Sequence, residues 1–331
     1  MMPSWIENIP KVEIHLHLEG AIPLPALWEL IKKYGGDPRV SSYENLPQKF
    51  IYDNFLQFID TWIWKNQFIR EYEDFTWIAE AVASDLLQQN VRYAECFFSP
   101  TGFAGHGLKT QKIAEAIRLG LDRVPKIEIG LIADLVRDSS MELAGRTLAE
   151  IIEVKSFGVI GVGIGGPELG YPPERFAGIY EKARQFGLHT TAHAGEAAGP
   201  ESIWGAIRSL KVERIGHGTR AEEDPALVEY LVEKRVPLEM CPISNLRTKV
   251  VPSVKDLPMK RYLDLGIAVT ISTDDPKMFG NSLADEYRLL LEEQHFSNED
   301  IRTTLINSAQ FSWASDEKKL QLIKEIMDFD L

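Results

Sequence analysis

The sequence predicts a (β/α)8 TIM barrel, an α/β fold, with extra helices after its first strand, and three observations carry that expectation. Short apolar or β-branched runs recur eight times, the intervals between them are amphipathic, and histidines and aspartates gather at the ends of the runs. The runs begin at Val12 (VEIHLHL), Val91 (VRYAECFF), Ile127 (IEIGLIADL), Val159 (VIGVGIG), Leu188 (LHTTAHA), Glu213 (ERIGHG), Pro237 (PLEMCP) and Ala268 (AVTISTDD). Several are apolar throughout, as strands covered on both faces are. Intervals such as 172–187, PPERFAGIYEKARQFG, open on proline and close on Gly187, the boundary pattern of a helix. The stretch from Ala21 to Asn90 is too long for one crossover, so a helical insertion of about 21–90 is expected over the barrel mouth. No linker, repeat or low-complexity tract interrupts the chain, which reads as one domain over 1–331.

Composition narrows the partners. With 331 residues, 44% of them hydrophobic, the chain can bury one large core. A formal net charge of -13 argues against nucleic acid and anionic membranes, whose binding draws on clustered Lys and Arg, and favours a small-molecule partner. The opening MMPSWIENIPKVE lacks a basic region followed by an apolar stretch, and no window reaches the roughly 20 apolar residues of a membrane span. A soluble, cytoplasmic protein is expected. Cys96 and Cys241 sit inside apolar runs, too few for a disulfide scaffold or a multi-cysteine zinc site.

The chemistry starts in the first run. His15 and His17 alternate with apolar residues, so both point to one face of the strand, about 6.5–7 Å apart along it. A core reading and a metal reading of this pair are about evenly matched. His193 in TAHAGE, His217 in RIGHG and Asp274-Asp275 in STDDP then fall at the C-terminal ends of the fifth, sixth and eighth runs, which a barrel brings to one mouth. A buried acidic pair there needs a cation or a shared proton. His15, His17, His193 and Asp274, with one position left for water, suit one catalytic Zn2+ better than the all-oxygen ions. A second ion would require a bridging Lys or carboxylate at the end of the fourth run, which reads GIGGPE. Zinc makes hydroxide available near neutral pH. Glu196, three residues after His193, is the expected proton donor, with a helix-capping carboxylate as the alternative. His217 is expected to orient the water, take its proton and stabilise developing charge, with a fourth zinc ligand as the alternative, a place that Asp274 already fills.

HLHLEG, GGPE, TAHAGE, ERIGHG, CPISN and TDDP occur in this order along nearly the whole chain. Together they resemble the adenosine deaminase family of the amidohydrolase superfamily. The resemblance implies zinc on the four residues above, Glu196 protonating N1 of a 6-aminopurine while hydroxide adds to C6, and adenosine converted to inosine and ammonia. It further implies that Asp275 bonds N7, that the Gly166 N–H contacts N3, that His17 borders the substrate, and that residue 19, here Glu19, lies near the ribose 5′ hydroxyl. No organic cofactor is required. AECFFSP leans toward adenine deaminases, whereas GIGGPELG and HAGEAAGPESIW lean toward adenosine and aminodeoxyfutalosine deaminases. Ser244 and Asn245 read as structural. Phe55, Phe58, Ile59 and Trp62 form an apolar stripe at helical spacing, either core or a lid over the substrate.

Overall fold

The computed structural model describes residues 5–53 and 55–331. Its eight strands are β1 (Lys11–His17), β2 (Val91–Phe98), β3 (Glu128–Asp134), β4 (Val159–Gly163), β5 (His189–Ala194), β6 (Arg214–His217), β7 (Leu238–Met240) and β8 (Val269–Ile271). Each pairs in parallel with the next. Past the end of β8, Asp274 returns to β1 through a parallel bridge with Leu16. The His17 N–H donates to the Asp274 carbonyl at 2.9 Å, and the Asp274 N–H to the His15 carbonyl at 3.1 Å. The predicted barrel and its strand order are both present.

Alternation sorts each strand between layers. On β1, Val12, Ile14 and Leu16 join the main apolar core, while Glu13, His15 and His17 take the opposite face, inside the barrel. The helices outside follow their end signals. The 172–187 interval begins with a 3-10 turn, Pro173–Phe176, continues as helix Ala177–Gln185, and ends where Gly187 adopts φ 70°.

The long stretch after β1 divides in two. Helix Tyr72–Gln88, started by a reciprocal Glu71/Asp74 cap, packs against β2 and against helix Thr110–Leu121. It thus takes the place of an ordinary crossover helix. Helix Phe55–Asn66 instead reaches the mouth, where Phe58, Ile59 and Trp62 border the same cavity as His17 and His193. The side chain of Phe55 lies outside the described residues. No helix among the described residues is long and apolar enough to cross a membrane.

Below the mouth the barrel interior holds a chain of charges. An Arg214 guanidinium nitrogen lies 2.6 Å from Glu95, and Arg214 Nε donates to Glu239 at 2.5 Å. Arg214 also donates to the Phe311 carbonyl at 3.0 Å and covers the Trp313 ring at 3.6 Å. All three charged residues are at most 1% exposed. Burial alone would push the Glu239 carboxyl up, but Arg214 and His15 bring it below its ordinary value. Removing one partner leaves a buried charge uncompensated. Arg214→Ala is therefore expected to cost about 3–5 kcal/mol in urea unfolding, and a loss under about 1 kcal/mol would place the weight of the barrel floor elsewhere.

Candidate metal centre and active site

Three strands deliver the candidate ligands: β1 carries His15 and His17, β5 carries His193, and Asp274 follows β8. Nε2 of His15 lies 3.1 Å from Nε2 of His193, and Nε2 of His17 lies 3.2 Å from the same atom. Oδ1 of Asp274 stands 3.5 Å from His15 Nε2 and 3.3 Å from His17 Nε2. Ligands on a tetrahedral zinc, with bonds of about 2.0–2.1 Å, are separated by roughly 3.3–3.4 Å. The spacing of these four atoms fits such an ion.

His217 also brings a ring nitrogen within 4.8 Å of ligand atoms of His15, His193 and Asp274. It competes with His17 for a place in the set. The shorter distances favour His17, and both nitrogens of His217 have other neighbours. Its Nδ1 is 3.0 Å from the side-chain nitrogen of Asn245, and its Nε2 is 3.7 Å from Glu196 Oε2. With the Asn245 amide placed so that Thr219 donates to its oxygen at 3.2 Å, Nδ1 accepts and Nε2 carries the proton.

The ligands are held from behind. His15 Nδ1 donates to Glu239 at 2.8 Å, His193 Nδ1 to the Ile164 carbonyl at 3.1 Å, and Ser244 Oγ to Asp274 Oδ2 at 2.6 Å. These bonds leave Nε2 of His15 and His193 and Oδ1 of Asp274 facing the common point. Phe97 stacks on His17 with ring centroids 4.9 Å apart and tilts against His15 at 4.9 Å. Beneath them only glycine is accommodated at 216, since a Cβ there would come within 2.9 Å of the His15 ring. Asp274 and His217 both occupy the left-handed region, at φ 65° and 61°. For non-glycine residues this is backbone strain that the surrounding bonds must hold.

The charges explain why a cation fits. Burial opposes protonation of His15, yet its hydrogen bonds to Asp274 and Glu239 raise it to about 10. Burial likewise opposes charge on His17, and Asp274 with Asp275 raises it to about 9. The buried carboxylates thus call for positive charge at the point where the ligand atoms meet, a demand that a divalent ion meets directly. Burial and the neighbouring Asp274 lift Asp275 to about 8, and its Oδ1 is buried without a hydrogen-bond partner among the described residues.

Across the cavity stands Glu196. Burial, then the charges of Asp274 and Glu168, raise its carboxyl to about 8. It caps nothing: helix Pro200–Gly205 has no side-chain cap, and Glu201 bonds the Gly199 N–H instead. The cavity, about 410 Å³, is bordered by His17, Gly166, Glu196, His217, Asp274 and Asp275, and it extends outward past Ser99, Asp134, Asp138 and Ser139. Phe58 stacks on Phe279 at 5.2 Å and, with Met278, forms an apolar cluster separate from the main core. Of the stripe, Phe58 is buried while Ile59 and Trp62 are half-buried, beside the cavity rather than in the barrel core. Glu19, 1% exposed, accepts the Ser99 N–H at 2.9 Å. Its Oε2 has no hydrogen-bond partner among the described residues. Glu168 turns its carboxylate to backbone N–H groups and is not offered to an ion.

Two holding residues, Glu239 and Arg214, escaped the sequence reading. Glu239 and Arg214 gave a signal of the same kind as His15, a charged side chain in an apolar strand. Ser244 and Asn245, read as structural from the CPISN motif, bond Asp274 and His217.

Fold and site together define a (β/α)8 barrel with a His/Asp centre at its C-terminal mouth. The adenosine deaminase family model matches residues 10–329. The chain is 33% identical to an adenine deaminase of Acinetobacter baylyi, covering 97% of each protein. It is 32% identical to an aminodeoxyfutalosine deaminase of Streptomyces avermitilis, over 98% of this chain and 92% of the other. A solved adenine deaminase of Arthrobacter aurescens superposes with a TM-score of 0.92 at 30% identity, covering 97% of this chain and 98% of that one. The chain belongs to the adenosine deaminase family.

Because Glu239 fixes the orientation of His15, Glu239→Ala is expected to weaken metal binding by about 10–100-fold. Chelator competition measures this, and unchanged affinity would mean that His15 is oriented by other contacts.

Proposed function

We propose that this chain hydrolytically deaminates an uncharged 6-aminopurine, nucleoside or free base, with one zinc ion held by His15, His17, His193 and Asp274. The observation that carries this reading is the convergence of those four ligand atoms, 3.1–3.5 Å apart along four of their six separations, with Glu196 facing them from across the cavity. A zinc ion supplies a Lewis acid that brings the pKa of water toward neutrality.

The protein's own groups do the rest. Glu196, whose carboxyl stays protonated to about pH 8, donates to N1 of the purine. This draws charge off the ring as water adds to C6; the Glu196 carboxylate so formed takes the proton the water gives up and passes it to the departing amine, and loss of ammonia, with the C6 hydroxyl proton returning to Glu196, gives the 6-oxopurine. His217, kept neutral by burial, which lowers it to about 4, presents its Nε2 hydrogen to the attacking oxygen and to Glu196. It orients and stabilises rather than removing the proton. The unpartnered Asp275 Oδ1 is assigned to N7, and Gly166, at φ 88°, to the N3 edge. Helix Phe55–Asn66, through Phe58 and Trp62, covers the ring and excludes water.

Adenosine to inosine is the conversion expected within this class. A second reading, adenine as the free base, is supported by the enclosure of Glu19 and by the named activity of the Acinetobacter and Arthrobacter relatives. Comparing kcat/KM for adenosine, adenine and aminodeoxyfutalosine decides between them. The buried thiols of Cys96 and Cys241 suit the reducing conditions of a cytoplasmic protein.

Glu196→Gln is expected to retain the metal and lose at least about 100-fold in kcat; turnover near the parent value would remove Glu196 as the donor. The sign of the pH dependence follows from the raised carboxyl. The active form is protonated, so kcat/KM is present below about pH 8 and falls as pH rises through it; a profile flat to pH 10 would contradict this. The residues bordering the cavity include Asp134, Asp138, Glu196, Asp274 and Asp275 but neither Lys nor Arg. AMP is therefore expected to be a poorer substrate than adenosine by at least roughly 100-fold in kcat/KM, and equal turnover would point to a phosphate site outside this cavity.

A further inference from the structure

Residues 195–199, which carry Glu196 from β5 to helix Pro200–Gly205, form neither helix nor strand. Such a segment holds a side chain in place only if something ties its backbone. The tie is Glu168, at the end of the GGPE sequence after β4 and 5% exposed. Its Oε1 accepts the Gly195 N–H at 2.6 Å. Its Oε2 accepts from Glu196 at 3.1 Å, Ala197 at 2.7 Å and Ala198 at 2.8 Å. Four successive N–H groups turned to one side make an anion-binding concavity. Here the chain fills it with its own carboxylate. The turn begins at Gly195, φ 73°, where a Cβ would come within 2.4 Å of Ile203. Arg137 ties the same region from beneath, donating to the Tyr171 carbonyl at 2.8 Å and also to the His193 carbonyl.

We propose that Glu168 is a positioning residue for proton delivery: by gathering the N–H groups of Gly195, Glu196, Ala197 and Ala198 it holds the Glu196 carboxyl over the cavity. The proposal rests on the reading of Glu196 as the donor. Glu168 needs no contact with substrate or metal to act. It acts through the backbone, and its negative charge also disfavours ionisation of Glu196.

The test is a double-mutant cycle on the zinc-loaded enzyme, joined to amide hydrogen exchange. In Glu168→Gln, one accepting oxygen becomes an NH2 group that opposes the N–H donors. This variant is expected to keep one metal per chain, to lose at least roughly tenfold in kcat with little change in KM, and to lose nothing further when Glu196 is already Gln. Exchange at Gly195, Glu196, Ala197 and Ala198 should quicken at least roughly tenfold in Glu168→Gln. If that variant does not fold, Glu168→Asp, one methylene shorter, is expected to show the same pattern at smaller amplitude. Unchanged exchange overturns the clamp, and so does a kcat loss that appears in full in the Glu196→Gln background. A separate result, full turnover by Glu196→Gln alone, removes the donor assignment; the exchange data still decide whether Glu168 holds the loop.

Discussion

The residue that joins the eighth strand back to the first is also the one whose charge organises the mouth. Asp274 exchanges backbone hydrogen bonds with His15 and His17, and its carboxylate reaches the ring nitrogens of the same two histidines. Closure of the sheet and assembly of the centre are thus one event in the native structure. The left-handed backbone of Asp274 is what allows both. Its cost is met by the Ser244 hydroxyl on the far oxygen and by the bonds to β1.

A layered electrostatic arrangement follows. At the floor, Arg214 is enclosed by Glu95 and Glu239; one step up, Glu239 takes the Nδ1 proton of His15; at the mouth, His15 and its partners leave their other atoms to a cation. Each buried charge leans on the one beneath, so the orientation of a ligand is anchored in packing near the opposite end of the barrel, against Trp313 and the Phe311 carbonyl. On the substrate side the balance is reversed. There burial and neighbouring carboxylates raise Glu196 and Asp275 to about 8, which suits the proposed acid a short distance from the candidate ligands.

Much of this was legible in the residues themselves. The eight apolar runs correspond to the eight strands, and their shortness and the amphipathic intervals between them are what mark them as such. His15, His17, His193, His217, Asp274 and Asp275 meet because the ends of parallel barrel strands converge. What escaped was partnership across the barrel. Glu95, Arg214 and Glu239 stand in three separate runs, and no spacing within one run reveals that they neutralise one another. Glu168 escaped differently, since a carboxylate that binds consecutive backbone N–H groups leaves no pattern in side-chain types. The stretch 21–90 was expected over the mouth, yet Tyr72–Gln88 packs against β2 and the adjoining helix, because its apolar face matches that outer layer.

The central claim is that one divalent ion sits where three imidazole nitrogens and one aspartate oxygen meet. Anomalous diffraction at the zinc edge, from crystals of protein supplied with zinc, tests it most directly. The account predicts a single peak about 2.0–2.1 Å from Nε2 of His15, His17 and His193 and from Oδ1 of Asp274. A peak bound to His217 in place of His17, or none at the barrel mouth, would contradict it.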